Sequence, residues 1–549
     1  MIIVGINGAY ERGDVNHPNV IMSANSEVQF LHDGGCTLFI DGKHICSINE
    51  ERLSRKKYDG DYPQRSIDHC LSEGNIRPED VDIVYYVAPY TTATPFHYGM
   101  EEVIKFPKQS FPNAEIRFCG HHLAHACSTV FTSPYNEGTF LTLDGGGSAL
   151  YDPYKKYIFH VENNSIGYFN KEKKIFRLYN MPDEHINNFG NYYSHVASKT
   201  YGWKRKKPME NWEDCIASVG KVMGLSAYGS LDKYTGGYRN GFTVIKHSVP
   251  YISFPEGGSM DVPDTPEDAA RWLQKSFEDG IRTFLKELRN YHLDETVCFA
   301  GGTFLNILAN TLIKESGMFE NIHIPPFTDD SGLHVGAALW GCFEEDENIQ
   351  MPDNIALLGK EYSNKEIEKF LDLYKLKAVP YDANIVADRI ENQKIVGWFQ
   401  GRSEHGPRAL GSRSIFMSPA RAENKDILNK RVKHREYWRP FAGIIREEDV
   451  SEYFNEDFLT PHMLYSQTSK TDKLPAITHV DNTCRIQTIS EDQNPRVYEL
   501  LGKLDVPVVL NTSFNDNGEP IVETPYHAFK AFMAMDIDTL VIGDYIIDK

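Results

Sequence analysis

The sequence predicts an α/β protein of several domains, the first of them internally duplicated, and three observations lead there. The run Ile2-Ile3-Val4-Gly5-Ile6, stopped by Asn7-Gly8, has the length and content of a buried strand, and Cys36–Ile40 and His44–Ile48 face each other across Asp41-Gly42, a strong hairpin dipeptide. The pattern then returns. Phe140–Leu143 runs into Asp144-Gly145-Gly146-Gly147-Ser148, and Tyr157–Val161 follows a turn at Asp152-Pro153, so two halves each begin strand, acidic or glycine turn, strand, with a cleft expected between them. Third, the stretch from about 345 to 365 is acidic, poor in apolar residues and broken by Pro352, which places the main boundary there: domains 1–355 and 356–549. A length of 549 residues is ample for this at roughly 100 to 200 residues per domain.

Beyond the boundary, Ser363 with Glu366 three residues on reads as a capping box. Ile367, Phe370, Leu371 and Tyr374 continue at helical spacing to about Leu376. Lys394–Phe399 and Pro507–Leu510 read as buried strands.

Composition narrows the class. Apolar residues make up 41% and charged residues 24%, a globular balance that excludes a disordered chain. With 57 Lys and Arg against 77 Asp and Glu, the formal charge is -20, which opposes unspecific adhesion to nucleic acid or anionic lipid. Any nucleotide must be held by a local cluster of cations. Nine cysteines, scattered and never spaced C-x-x-C, predict a reducing compartment. No run approaches the roughly 18 apolar residues of a membrane span and the first residues lack a secretory pattern, so a cytoplasmic protein is expected.

Several segments carry chemistry. His121-His122-Leu123-Ala124-His125 puts two imidazoles on one helix face, a spacing that suits one cation and equally a pair of core histidines. Asp144, ending a strand, and Asp330, in a loop before a helix, would complete a two-His, two-Asp shell for iron, manganese or zinc. Gly301-Gly302, after the strand Thr296–Phe299 and ahead of Asn306, would bring amides close to a nucleotide, or simply turn the chain. The glycine-punctuated segment 219–229 carries one cation, Lys221.

The densest signal lies further on. Gly401 to Ser414 holds Arg402, Arg408 and Arg413 among glycines, and Lys433-His434-Arg435-Glu436-Tyr437-Trp438-Arg439 follows. In so acidic a chain, cations gathered among Gly-Pro turns suit a phosphate or carboxyl-phosphate pocket, because guanidinium forks bind oxyanions bidentately. The segments around Arg485 and Asn511-Thr512-Ser513-Phe514-Asn515 add amide, hydroxyl and cationic groups.

His32-Asp33, Glu50 to Lys56, His121 to Ala126, Lys221 to Leu225, Gly301 to Asn310, Gly406-Pro407-Arg408-Ala409-Leu410-Gly411, Arg439-Pro440-Phe441-Ala442 and Asn511 to Asn515 together resemble, in order and over nearly the whole chain, the O-carbamoyltransferases of the NodU/CmcH type. The resemblance implies an actin-like, sugar-kinase-like (Kae-type) duplicated N-terminal domain and a YrdC-like C-terminal domain. It implies that carbamoyl phosphate and ATP, with Mg, give carbamoyl-adenylate and pyrophosphate in the second domain, and that the carbamoyl group then passes to a hydroxyl at the first. Matched by motif, the metal ligands would be His121, His125, Asp144 and Asp330, with His32 as general base because imidazole titrates near working pH. Arg408, Lys433, Arg439 and Arg485 would contact phosphate and carbamoyl groups with Ser513 as hydroxyl partner, while Lys221, Gly301, Gly302, Asn306 and Asn515 would line nucleotide or substrate. Dimers occur in such a family.

Residues 9–31 run longer than the resemblance leads one to expect, and Gly34-Gly35 replace the usual small serines, so this stretch and about 160–215 are where acceptor choice is expected: a small molecule, a sugar or a hydroxymethylated nucleobase. Two other classes share parts of this pattern. A tRNA threonylcarbamoyl-type or hydrogenase-maturation component would sit poorly with the charge or need further Cys-rich regions, and a nucleotide-binding scaffold would release no pyrophosphate.

Overall fold

The computed structural model describes residues 1–8, 21–22, 28–29, 32–87, 104–145, 149–152, 157–162, 164–181, 189–206, 212–231, 243–245, 251–253, 263–290 and 292–549. Most of 9–31, and 182–188 and 207–211 within the other expected acceptor stretch, lie outside them. Two compact units form: Met1–Glu50 with Tyr58–Met351, and Glu51–Lys57 with Pro352–Lys549. The short segment 51–57, inside the expected first domain, thus packs with the second unit.

The first unit contains the duplication as two five-stranded sheets of one pattern. In one, Ile2–Asn7 is central, antiparallel to Gly35–Ile40 and then Lys43–Asn49 on one side, parallel to Ile83–Val87 and then Glu115–Phe118 on the other. In the second, Glu137–Leu143 takes the central place between antiparallel Asn164–Asn170, with Ile175–Asn180 beyond, and parallel Thr296–Ala300, with Asn321–His323 beyond. The expected first hairpin forms across Asp41 (φ 50°) and Gly42 (φ 73°). The second half differs from expectation. Tyr157–Val161 pairs with Ala149–Asp152 in a separate hairpin, and Asn164–Asn170 lies beside Glu137–Leu143 instead, matching it over its full length from Asn164 opposite Leu143 to Asn170 opposite Glu137. A seven-residue partner satisfies more backbone groups of the central strand than the shorter 157–161 could.

Two helices bring this unit's chemistry together. Helix His121–Val130 packs on Glu137–Leu143 and Thr296–Ala300, helix Leu333–Glu344 packs on the first sheet, and the two helices touch each other. Gly336 allows that contact, because a Cβ there would sit 1.8 Å from the Ala124 carbonyl oxygen. Close backbone approach is a use for which a side chain leaves no room.

The second unit is built on a nine-stranded mixed sheet in the order Val379–Pro380, Tyr545–Asp548, Thr539–Ile542, Val396–Phe399, Arg413–Met417, Val508–Ser513, Ala442–Arg446, Thr483–Ile489, Ser466–Thr468. Its central strands are covered on both faces, and side chains alternate between two cores. Ile415, Met417, Val508, Leu510, Leu540 and Ile542 enter one; Phe416, Val509 and Val541 enter the other with fully buried Trp398. The helix Asn364–Leu373 starts at the expected capping box, with Ser363 and Glu366 reciprocally bonded. Eight cysteines are buried free thiols, and no helix among the described residues is long and apolar enough to cross a membrane.

Replacing Gly336 by alanine forces the helix pair apart and should destabilise the protein by about 1–3 kcal/mol, as overpacking of a filled interior does; denaturant unfolding of the full chain measures this, and an unchanged midpoint would show that the contact yields freely.

Candidate functional site

In the first unit His121 occupies the first position of its helix and His125 lies one turn on, so both rings leave the same face. Their Nε2 atoms are 3.1 Å apart. Asp144 follows the central strand Glu137–Leu143, and Asp330 opens a short 3-10 turn ahead of Leu333–Glu344. His121 Nε2 is 3.3 Å from Asp144 Oδ2 and 3.5 Å from Asp330 Oδ1, and His125 Nε2 is 3.3 Å from Asp330 Oδ1. One ligand atom from each of the four lies within 4.8 Å of all the others. His32 belongs to the same centre, with Nδ1 2.8 Å from Asp33 Oδ2 and Nε2 3.5 Å from Asp330 Oδ2.

The glycine pair serves this centre too. Gly301 turns at φ 98° against the Leu143 carbonyl, which a Cβ would approach to 2.1 Å, and the Gly302 amide donates to Asp144 Oδ1 over 2.9 Å. Asn306 is engaged by neighbouring helices. Its side-chain oxygen accepts from the Ala309 amide to cap helix Ile307–Glu315, and its side chain pairs with buried Gln274. Lys221 donates to the Tyr201 hydroxyl (2.9 Å) and lies over the Tyr201 ring.

Charge makes the centre receptive to a cation. Burial opposes the imidazolium of His32, but Asp330 and the bond to Asp33 outweigh it and push its pKa up to about 10; in the same way Asp330 and Asp144 push His121 up to about 9. Asp144 is held well below the ordinary carboxylate range because His121 and His125 outweigh its burial, and Asp330 is lowered by His32 and His121. Asp329, buried and facing Asp33, is pushed up to about 7. The near-neutral imidazole expected of His32 is therefore altered by the carboxylates around it, which isolated residue chemistry does not register. Two ring nitrogens facing each other at 3.1 Å between two carboxylates fit a first-row divalent ion. Asp33 and Asp329 were given no role by the sequence; their one signal is adjacency to His32 and Asp330.

In the second unit the expected cations gather at one end of the sheet. Ala442, two residues beyond Pro440, lies between Arg485 and Asn511 in register, and Ser513 pairs with Ser414. Arg485 is driven down to about 9 by burial and then by the charges of Arg408 and Arg439. Glu436 lies 3.6 Å from Arg439. Lys433 is occupied internally, donating to the Ser513 and Asn515 carbonyls (2.8 and 2.6 Å) and to Asn515 Oδ1 (2.7 Å), while Ser513 Oγ donates to Asn515 Oδ1 (2.6 Å). Burial and its cationic neighbours hold its pKa well below the ordinary lysine value. Lys433, Ser513 and Asn515 thus form one bonded corner beside the three arginines.

A duplicated α/β unit with a His/Asp cluster that could hold a metal ion is followed by a second α/β unit that gathers arginines. Comparison with known proteins supplies the family. The chain matches the carbamoyltransferase N-terminus over residues 26–106 and 98–339 and the carbamoyltransferase C-terminus over 387–549, so it belongs to the carbamoyltransferase family and is a transferase. It is 30% identical to nodulation protein NolNO of Sinorhizobium fredii, over 100% of this chain and 83% of that protein. It is also 30% identical to the 3'-hydroxymethylcephem-O-carbamoyltransferase of Amycolatopsis lactamdurans, over 64% of this chain and 67% of that protein. Among solved structures, HypF of T. kodakarensis is similar over 63% of this chain and 47% of its own, with 12% identity and a TM-score of 0.32.

Asp330→Asn combined with His125→Ala should abolish stoichiometric binding of Mn, Fe or Zn in calorimetric titration of the full chain. Full stoichiometry in that double variant would place the cation elsewhere.

Proposed function

We propose that the protein is an ATP-dependent O-carbamoyltransferase that makes carbamoyl-adenylate in its C-terminal unit and transfers the carbamoyl group in its N-terminal unit. The observation that carries the reading is the convergence of His32, His121, His125, Asp144 and Asp330 from four separate segments on one point, in a chain of the carbamoyltransferase family.

In the C-terminal unit Arg408, Arg439 and Arg485 hold carbamoyl phosphate as a charge-assisted cluster, stabilising negative charge without covalent help. Water releases orthophosphate from carbamoyl phosphate, an oxygen of the resulting carbamate attacks the α-phosphorus of ATP, and pyrophosphate leaves. Lys433 keeps Ser513 and Asn515 in place beside that cluster. ATP brings Mg, as nucleotide substrates do.

In the N-terminal unit the acceptor hydroxyl attacks the carbamoyl carbon of the adenylate, its proton is taken up, and AMP departs. His32 is the base proposed for that proton, with Nδ1 on Asp33 and Nε2 toward Asp330 (3.5 Å); a cation held by Asp330 and Asp144 would offset the carboxylates that otherwise keep its ring protonated. His121, His125, Asp144 and Asp330 would hold an ion, iron or alternatively manganese or zinc, which would supply Lewis-acid stabilisation of developing oxygen charge. The Gly302 amide fixes Asp144, so that ligand is pre-aligned. The cephem-modifying relative is named for a hydroxymethyl acceptor, and a hydroxyl of a small molecule, sugar or hydroxymethylated nucleobase is the acceptor class proposed for this chain.

Incubation with labelled carbamoyl phosphate, ATP and a panel of hydroxylated acceptors should move label to one acceptor class and yield AMP, with His32→Ala lowering transfer by roughly 10²–10⁴-fold. Formation of ADP alone would reject the mechanism, and nucleotide binding without pyrophosphate would mark a scaffold.

A further inference from the structure

We infer that Arg52 is a positioning residue for the carbamoyl-phosphate site: its guanidinium clamps the Gly406–Gly411 loop in the form that presents Arg408. The inference deepens the function proposed above and rests on it.

The loop is held from inside and outside. Inside, the buried Glu404 carboxylate accepts backbone amides from Leu410 (2.9 Å), Ser412 (3.0 Å) and Arg413 (2.9 Å), so one acid closes the loop on itself. Asn511 Nδ2 donates to the Ala409 carbonyl and Trp398 Nε1 to that of Gly411, tying the loop to the sheet. From outside, Arg52 Nη2 donates to the carbonyls of Glu404 (3.2 Å) and Gly406 (3.1 Å). The grip falls where the backbone reverses, since Gly406 has φ 99°, and two residues before Arg408.

Arg52 comes from the segment Glu51–Lys57, which belongs to the second unit although Tyr58–Met351 of the first unit follows it in the chain. Arg55 secures that segment by donating to the carbonyls of Pro520 (2.6 Å) and Ile521 (2.7 Å). Arg52 is 4% exposed, its Nε lies 4.0 Å from Glu51 Oε1, and among the described residues its buried Nη1 has no hydrogen-bond partner. A buried guanidinium with an unmet donor is a poor device for stability alone. It is an effective one for shape, because the planar guanidinium holds its single Nη2 at the point where both carbonyls of the loop can accept from it. An arginine fork binds an oxyanion bidentately only within a narrow tolerance of position, so what fixes the loop governs Arg408.

The test uses the full chain, with inorganic phosphate titrated calorimetrically and pyrophosphate release followed against carbamoyl phosphate. Arg52→Lys keeps the charge but loses the rigid guanidinium plane that sets Nη2 against both carbonyls; it should weaken phosphate binding about tenfold, the size typical of a lost supporting contact, and raise the KM for carbamoyl phosphate more than it lowers kcat. Arg408→Ala should weaken phosphate binding at least as much. The double variant should bind no more weakly than Arg408→Ala alone, because Arg52 acts only through Arg408. Wild-type phosphate affinity in Arg52→Lys, or losses that add in the double variant, overturns the inference. Should Arg52→Lys fail to fold, Glu404→Gln loosens the same loop from inside and must show the same non-additivity. If Arg408→Ala itself leaves phosphate binding intact, the assignment of the arginine cluster falls instead, and the two failures are thereby distinguished.

Discussion

The contact between helices His121–Val130 and Leu333–Glu344 is the constraint on which the first unit's chemistry depends. One helix carries the histidine pair; the other begins directly after the Asp330 turn. Only because Gly336 lies against the Ala124 backbone can His125 and Asp330 come within 3.3 Å. The duplication supplies the symmetry: each half ends in a helix, and the two helices meet between their sheets, so ligands far apart in sequence converge.

Charge distinguishes the clusters of the two units. The N-terminal centre gathers carboxylates and imidazoles whose mutual attraction raises the histidines and lowers Asp144 and Asp330. In the C-terminal cluster, burial and then the charges of Arg408 and Arg439 push Arg485 down to about 9. In a chain of net charge -20, the arginine cluster is a local inversion of the overall field, which favours a small anion admitted to a pocket over an extended polyanion spread on a surface.

Part of this was legible in residues alone, wherever the signal is local. The Asp41-Gly42 hairpin, the Ser363 capping box and the strands at Val396–Phe399 and Val508–Ser513 follow from spacing over a few residues. Strand pairing was less legible. Tyr157–Val161 has strand character, yet the place beside Glu137–Leu143 goes to Asn164–Asn170, because pairing is settled by total register between segments. Side-chain duty was less legible still: Asn306 caps a helix, Lys433 braces Ser513 and Asn515, and the Gly301-Gly302 turn holds Asp144.

By itself the sequence determined the α/β class and the acidic balance with its local cluster of cations, and it offered the two His and two Asp as candidates, since propensity, composition and residue chemistry belong to the chain at every point. The tertiary structure alone decided which Asp shares His32, that segment Glu51–Lys57 belongs with the second unit, and that Arg52 and Glu404 hold one loop. Those facts depend on contacts between segments as distant as Arg52 and Gly406, 354 residues apart, where closeness arises from packing and leaves no periodic trace in the order of residues.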